Sequence, residues 1–522
     1  MTTASHDQGE PTAEDVRASD LTAIARGGSL NMVGAVANGL FSFALVVVVT
    51  RGLGAAGVGA FFSAVALFNI MSNVAQLGAD TGLVRTIARY RALGRTADVR
   101  ATLLVALVPV VVGGAVFAGA MFLFAPQLAD LVGKGARHDD IAGYARVLAP
   151  FLPLTAAYLV VLAATRGFGT MAPTVFIEKI GRTALQPLLA LAVFAAGLGP
   201  GGLALAWAGP AALAAALAAR SLWSLLRQDD RQPAPTPPRP RRDLAVRFWR
   251  FTAPRGFAGV FQVTVLWLDT LLIGGLVSTR QAGIYAATTR YMTAGLFAGA
   301  AIQQVMGPKI SEVLARRDRP RAAAVYQTST AWLMLAAWPI YLSLATFAPV
   351  LLGIFGREFV AGQTVLVILA VTMLVASGVG AVDVVLLMGG KSIWNLANTV
   401  TSLTLNLVLN LLLIPRLGIT GAAIAWSVSI LVNNLAPLAQ VWAFLRLHPF
   451  GAAFARAALS ALACYGFLGL VVRFTLGGSL PTLILYEVAA GVLYLLVLFR
   501  FRVPLQLATF GQALRRRPAA RG

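Results

Sequence analysis

Asp269 and Arg290 stand in stretches that are otherwise apolar, where an ionisable residue is costly and is kept for a reason. Arg280 lies between them, 11 residues after the acid and 10 before the arginine. At about 1.5 Å per helical residue both sit about 15 Å from a turn at Arg280, level with one another. The spacing therefore predicts a pair across a helical hairpin. Three roles fit such a pair: Arg290 anchors an anionic group while Asp269 holds or exchanges its charge; Asp269 takes up a proton or cation; or the two brace the hairpin without a ligand. A second cluster follows Pro173, which is favoured in the first turn of a helix. Glu178, Lys179 and Arg182 lie roughly 8 to 14 Å into that helix. Glu178 and Arg182, four apart, share a face. This cluster reads either as a cationic way into a cavity or as a local salt bridge with a snorkelling lysine.

Other polar residues mark helix ends and one stripe. Arg51 closes the first apolar run, and serves either a ligand or the membrane interface. Asp80 and Arg85 follow the second run and are candidates for a gate salt bridge or a helix cap. Asp383 and Lys391 read as interfacial, with gating as the alternative role for Asp383. Asn395, Asn398, Asn406 and Asn410 keep near one helical stripe. Sugar hydroxyls and interhelical hydrogen bonds account for such a stripe equally well, and the same holds for Gln303 and Gln304.

The elements that carry these residues are set by composition. The chain is 58% hydrophobic and 12% charged, with a mean hydropathy of +0.78, which places it among integral membrane proteins. Fourteen apolar runs are each long enough to span a hydrocarbon core of about 30 Å. They are 29–50, 57–78, 101–124, 144–164, 173–196, 202–219, 256–277, 283–307, 325–348, 364–387, 392–414, 418–445, 455–474 and 479–499. They lack the alternation of barrel strands, so an all-α fold is expected. With the amino terminus inside, 31 of the 42 Lys and Arg residues fall on the cytoplasmic side, 8 outside and 3 within spans, which puts both termini in the cytoplasm. The net charge of +22 is spread over membrane-flanking loops with no nucleic-acid-binding motif, and suits topology and contact with anionic lipids instead. Cys464 is the sole cysteine, so no intramolecular disulfide or metal cluster is expected. Residues 1–26 read as a disordered cytoplasmic tail, 227–250 as a Pro/Arg-rich linker and 504–522 as a basic tail.

The sequence also repeats. AAGVGAFFSA (55–64) returns as QAGIYAATTR (281–290) at an offset of 226, and GLGPGGLALAWA (197–208) returns as RLGITGAAIAWS (416–427) at an offset of 219. TRGFGTMAPTVF (165–176) falls opposite MGGKSIWNLANT (388–399). Two parallel six-helix lobes, 27–226 and 251–447, follow, with helices 13 and 14 (448–503) as an appendage. Such lobes rock about a central cavity to give alternating access. The offsets map Asp269 and Arg290 onto Phe43 and Ala64, and Glu178, Lys179 and Arg182 onto Thr399, Val400 and Leu403. The scaffold therefore does not need these charges.

The segment TRGLGAAGVGAFFSAVALFNIMSNVAQLGADTGLVRTIARYRALGR (50–95), with its G-x-D-x-x-L-x-R-x-x-A close, resembles the polysaccharide flippase branch of the multidrug, oligosaccharidyl-lipid and polysaccharide exporter superfamily. GIYAATTRYMTAGLFAGAAIQQVMGPKISE (283–312) is similar to the family's helix 8, with Pro308 and Ser311 near its end, and RLGITGAAIAWSVS (416–429) to the start of its helix 12. The G-x-x-x-D-R-x-G-R signature of the major facilitator superfamily is absent after the second run. The resemblance implies translocation of a polyprenyl-diphosphate-linked saccharide from the cytoplasmic to the outer leaflet of a bacterial-type cytoplasmic membrane, for cell-surface polysaccharide biosynthesis. It makes Arg290, Asp269, Lys179, Arg182, Glu178, Arg51, Asn395 and Asn398 candidates for the substrate cavity, and Asp80, Arg85 and Asp383 for gates. It also implies membrane lipids, a coupling proton or sodium ion and a polysaccharide polymerase as partners. No cofactor, metal or catalytic residue is expected. Without a G-x-x-x-x-G-K-S/T loop, energy is expected from an ion gradient, the membrane potential or consumption of the product. An ion-coupled drug or small-solute exporter and a membrane glycosyltransferase or polymerase are the alternative functions. One central site among helices 1, 2, 5, 7, 8 and 11 is expected.

Overall fold

Lipid offers a backbone no hydrogen-bond partner but itself, and every regular element among the described residues is helical. The computed structural model describes residues 13–135, 137–229, 239–293, 309–314 and 316–501, with 295, 306 and 503. Among the described residues, eight helices are long and apolar enough to cross a membrane, or nine if the pair before and after Pro150, bent by 52°, is one span. In chain order the described helices are consistent with the fourteen expected runs. Their outer faces are apolar, with Ile393 81% and Phe474 85% exposed, as suits side chains turned to lipid.

Where one span becomes the next, glycine decides the geometry. Ala13–Gln76 holds two expected spans in one element, divided at Gly54, whose φ of 68° and ψ of 175° are open to glycine alone. The expected turn of several residues is thus a single-residue break. Residues 13–26, expected in a disordered tail, are helical and run into the first span. Ala, Glu, Leu and Arg in that stretch are good helix formers. After the second span, Leu77 and Gly78 turn through positive φ. The basic segment expected as a loop then forms Ala79–Ala92, with Leu83, Ile87 and Tyr90 buried and its arginines largely outward. The expected span 283–307 starts as Thr279–Thr288 and tightens into a 3₁₀ turn, Thr289–Met292. Most of its remainder, including Gln303 and Gln304, lies outside the described residues, as do Pro308 and the linker residues 230–238.

The two halves meet at both ends of the bundle. At the Gly54 end, Gly59 and Gly283 let the second span and Thr279–Thr288 cross backbone to backbone: a methyl on Gly59 would collide with the Thr279 carbonyl, and one on Gly283 with that of Ala55. Arg280 and Glu358 pair nearby at 3.5 Å. At the Gly78 end, Gly78 and Gly256 also pack backbone to backbone, a methyl placed on Gly78 lying 2.6 Å from the Gly256 nitrogen. The last two spans, Ala452–Leu476 and Leu480–Arg500, pack on Arg319–Thr346. Tyr494 fixes them by donating to the Leu335 carbonyl at 3.0 Å.

Candidate functional site

Arg290 lies in the 3₁₀ turn, half-buried between two aromatic rings. Its guanidinium carbon is 5.3 Å from the Phe62 ring centre and 5.4 Å from that of Trp267. Phe62 comes from the second span and Trp267 from Arg241–Leu276, so the arginine joins three helices. Its Nε has no hydrogen-bond partner, and no carboxylate pairs with it among the described residues. A guanidinium left with its donors free and its faces covered is built to receive a planar or tetrahedral oxyanion.

Asp269 is not its partner, which corrects the pairing expected from their common depth. Asp269 is 7% exposed and accepts from Tyr285 Oη at 2.8 Å and from Asn410 Nδ2 at 2.8 Å. Asn410 also donates to Asn406 Oδ1 at 3.1 Å. The reason is partly the turn, which falls at Val277–Ser278 rather than at Arg280 and sets Asp269 level with Tyr285, and partly angular. Tyr285 and Arg290 are five residues apart, about 140° round an α-helix at 3.6 residues per turn, and the tightened turn rotates the arginine further. If Tyr285 faces Asp269, Arg290 cannot. Both neighbours of Asp269 donate to it, and Asp269→Asn removes the charge that strengthens both bonds and exchanges one acceptor oxygen for a donor. We expect a loss of about 1–3 kcal/mol in stability, read by thermal unfolding in detergent. Unchanged unfolding would contradict the buried network.

The second cluster comes together as its spacing suggests, on a less regular frame. Thr174–Arg182 is a π-helix of nine residues, a form that recurs at functional sites. Arg182 and Glu178 pair at 2.7 Å, Tyr158 Oη donates to Glu178 at 2.7 Å, and Arg182 lies 6.0 Å from the centre of the Trp207 ring. Lys179 turns elsewhere and donates to Asn31 Oδ1 at 2.8 Å. Glu178, Arg182 and Tyr158 wall a cavity of about 230 Å³ that Trp267 also borders. Asn69, Ser72, Asn73 and Gln76 of the second span line the same space. Their spacing of i, i+3, i+4 and i+7 in an apolar run was a legible signal that the sequence reading passed over. Glu487, an acid within Leu480–Arg500, was likewise passed over.

Asn398, Arg51 and Arg85 are engaged by other parts of the bundle. Asn398 and Gln440 exchange amide hydrogen bonds of 2.7 and 2.9 Å, and Ser402, one turn on, donates to the Ser429 carbonyl at 2.8 Å. The asparagine stripe thus ties Ser392–Leu417 to its neighbours, and the Asn395 carbonyl accepts from Thr399. Arg51 reaches across to the other half, donating to the carbonyls of Ile354 at 2.7 Å and Gly353 at 3.2 Å. It ties the Gly54 end to that segment. Arg85 does not pair with Asp80 but stacks on Phe251 at 3.9 Å, while Asp80 sits in the first turn of Ala79–Ala92, where a helix favours an acid. Lys391 stacks on Phe444 at 4.9 Å, and Asp383 opens Val382–Met388 in the same way as Asp80.

Two halves closing on a polar cavity, within a multi-pass membrane bundle, define the class of the molecule as a membrane transporter fold. The chain belongs to the polysaccharide biosynthesis protein family, whose sequence profile matches residues 58–361. A probable low-salt glycan biosynthesis flippase of Haloferax volcanii, Agl15, is 29% identical over 177 residues, which is 32% of this chain and 36% of the relative. A probable flippase of the same organism, AglR, is 26% identical over 203 residues, 38% of this chain and 42% of that protein. The matches thus span well under half of either relative. Among solved structures, the lipid II flippase MurJ in an inward closed conformation superposes with a TM-score of 0.69 at 11% identity, covering 92% of this chain and 99% of MurJ. An inward-facing multidrug transporter of the MATE family superposes with a TM-score of 0.59 at 16% identity, covering 78% and 96%. At these identities the likeness concerns the fold.

Proposed function

We propose that the protein is a flippase that moves a polyprenyl-diphosphate-linked oligosaccharide from the cytoplasmic to the outer leaflet by alternating access, for cell-surface polysaccharide biosynthesis. The observation that carries the reading is Arg290: half-buried, flanked by Phe62 and Trp267, without a carboxylate among the described residues, and beside a polar cavity. A diphosphate would supply the missing counter-charge. Family membership and the two flippase relatives support the substrate class. In this reading the lobes 27–226 and 251–447 rock about the cavity and the linker 227–250 allows the motion. Helices 13 and 14 (448–503) brace the second lobe. Both termini lie in the cytoplasm, and the bilayer is a bacterial-type cytoplasmic membrane.

Asp269 is the proposed station for a coupling proton or sodium ion. Around it Asn406 Nδ2 and Asn410 Oδ1 are buried without partners among the described residues, so the network holds spare capacity for a small guest. Lys179, held by Asn31, is the proposed cation on the cytoplasmic approach, and a polysaccharide polymerase is the proposed receiver of the product. The alternative of a drug exporter is decided by selectivity. Purified protein in lipid nanodiscs should bind a short-chain polyprenyl-diphosphate saccharide at least about tenfold tighter than a lipophilic organic cation. The opposite preference would overturn the flippase reading and return Asp269 to the centre of a cation exporter.

A further inference from the structure

Charge divides the interior into two seats. Arg290 offers an uncompensated cation. The adjoining cavity, by contrast, is electrically silent: the charged groups in its wall, Glu178 and Arg182, neutralise each other at 2.7 Å. What remains is amide, hydroxyl and indole. Asn69, Ser72, Asn73 and Gln76 present one polar face of the second span, and Trp207 and Trp267 supply broad apolar surfaces. Ser72 is 3% exposed, and its hydroxyl has no hydrogen-bond partner among the described residues. A buried hydroxyl left open on a polar wall calls for a ligand or water. Trp267 belongs to both seats, since it borders the cavity and covers one face of Arg290.

We infer that this cavity is the seat of an uncharged sugar, the residue attached directly to the diphosphate, with the diphosphate on Arg290 and Trp267 at the junction. The inference rests on the flippase reading and adds to it the place and the charge of the first sugar. A hexose ring has the two surfaces the cavity asks for: hydroxyls round its edge for the amides of the second span, and an apolar C–H face for an indole. A volume of about 230 Å³ is below the ~300–1,000 Å³ usual for drug-sized ligands, so the seat suits one sugar and leaves the rest of the glycan outside it. A charged sugar would set its carboxylate against Glu178 and find Arg182 already taken. Asn395 and Asn398, the asparagines expected to meet sugar, are replaced in that role by Asn69 and Asn73.

The test compares a short-chain prenyl diphosphate bearing one hexose with the same lipid lacking the sugar, on the full chain in nanodiscs. Wild type should bind the hexose-bearing lipid about tenfold tighter, the worth of one to three net hydrogen bonds. In Asn69→Leu/Asn73→Leu the ratio of the two affinities should fall towards one. If that variant fails to fold, Asn73→Cys in a Cys464→Ser background serves instead: the hexose-bearing lipid should slow its maleimide labelling at least about fivefold relative to the sugarless lipid. Equal affinity of wild type for the two lipids, or equal labelling, would overturn the sugar seat and leave the flippase reading standing. Failure of wild type to bind either lipid would overturn both.

Discussion

Arg290→Ala should cut leaflet exchange of a lipid-linked oligosaccharide by at least about a hundredfold, in protein that still folds. The size follows from the contacts at stake. A guanidinium grips a phosphate through two charge-assisted hydrogen bonds, each worth about 1.5–3 kcal/mol, and every 1.4 kcal/mol is a factor of ten. Folding should suffer little, because the side chain makes no ion pair among the described residues and its ring contacts with Phe62 and Trp267 are worth only about 0.5–2 kcal/mol each. Arg290→Lys should recover part of the rate, since an ammonium keeps the charge and loses the fork. Exchange rates in proteoliposomes, beside thermal unfolding of each variant, check this. Normal exchange by a folded Arg290→Ala protein would remove Arg290 from the substrate path.

The second large effect concerns the crossing of the two halves. Gly59→Val places a branched side chain where the Thr279 carbonyl now sits, and a backbone oxygen cannot swing aside as a side chain can. Overpacking of this kind costs about 1–3 kcal/mol when neighbours relax. Here relief requires the second span and Thr279–Thr288 to part, which opens the Gly54 end and undoes the hold of Arg51 on Gly353 and Ile354. Thr279 is 1% exposed, so a cysteine in its place, with Cys464→Ser, reports the opening. Gly59→Val should raise its maleimide labelling at least about tenfold and slow exchange by a similar factor, because a transporter held open at one end cannot complete its cycle. Unchanged labelling would mean that this crossing does not govern closure.

Why some of this was legible and some was not comes down to which coordinate a sequence carries. Apolar run length fixes where a chain crosses lipid, and the helical order follows. Spacing within one helix fixes shared faces, so Glu178 with Arg182 and the buried run of Asn398, Asn406 and Asn410 read through directly; Ser402 fills the gap in that run. Depth is legible only once the turn is placed: the break falls at Val277–Ser278 rather than Arg280, so Asp269 is level with Tyr285 and Arg290 lies about one helical turn further along. Azimuth is not: the 3₁₀ turn at Thr289–Met292 sends Arg290 towards Phe62 while Tyr285 takes Asp269. Nor does spacing foretell partners on other helices, such as Gln440 for Asn398, Ile354 for Arg51 or Phe251 for Arg85. The π-helix at Thr174–Arg182 leaves no periodic mark in nine residues. The polar face of the second span was written plainly enough, but as amides and a serine rather than charges, and it gains meaning only once Trp207 and Trp267 close the other walls.

The measurement that bears most directly on the central claim is leaflet exchange by the wild-type protein. A labelled polyprenyl-diphosphate oligosaccharide is placed in one leaflet of proteoliposomes, and its arrival in the other is followed against protein-free vesicles and against Arg290→Ala. The account predicts rapid exchange by wild type alone. No exchange by folded wild type, with uptake of a soluble organic cation by the same vesicles, would contradict it.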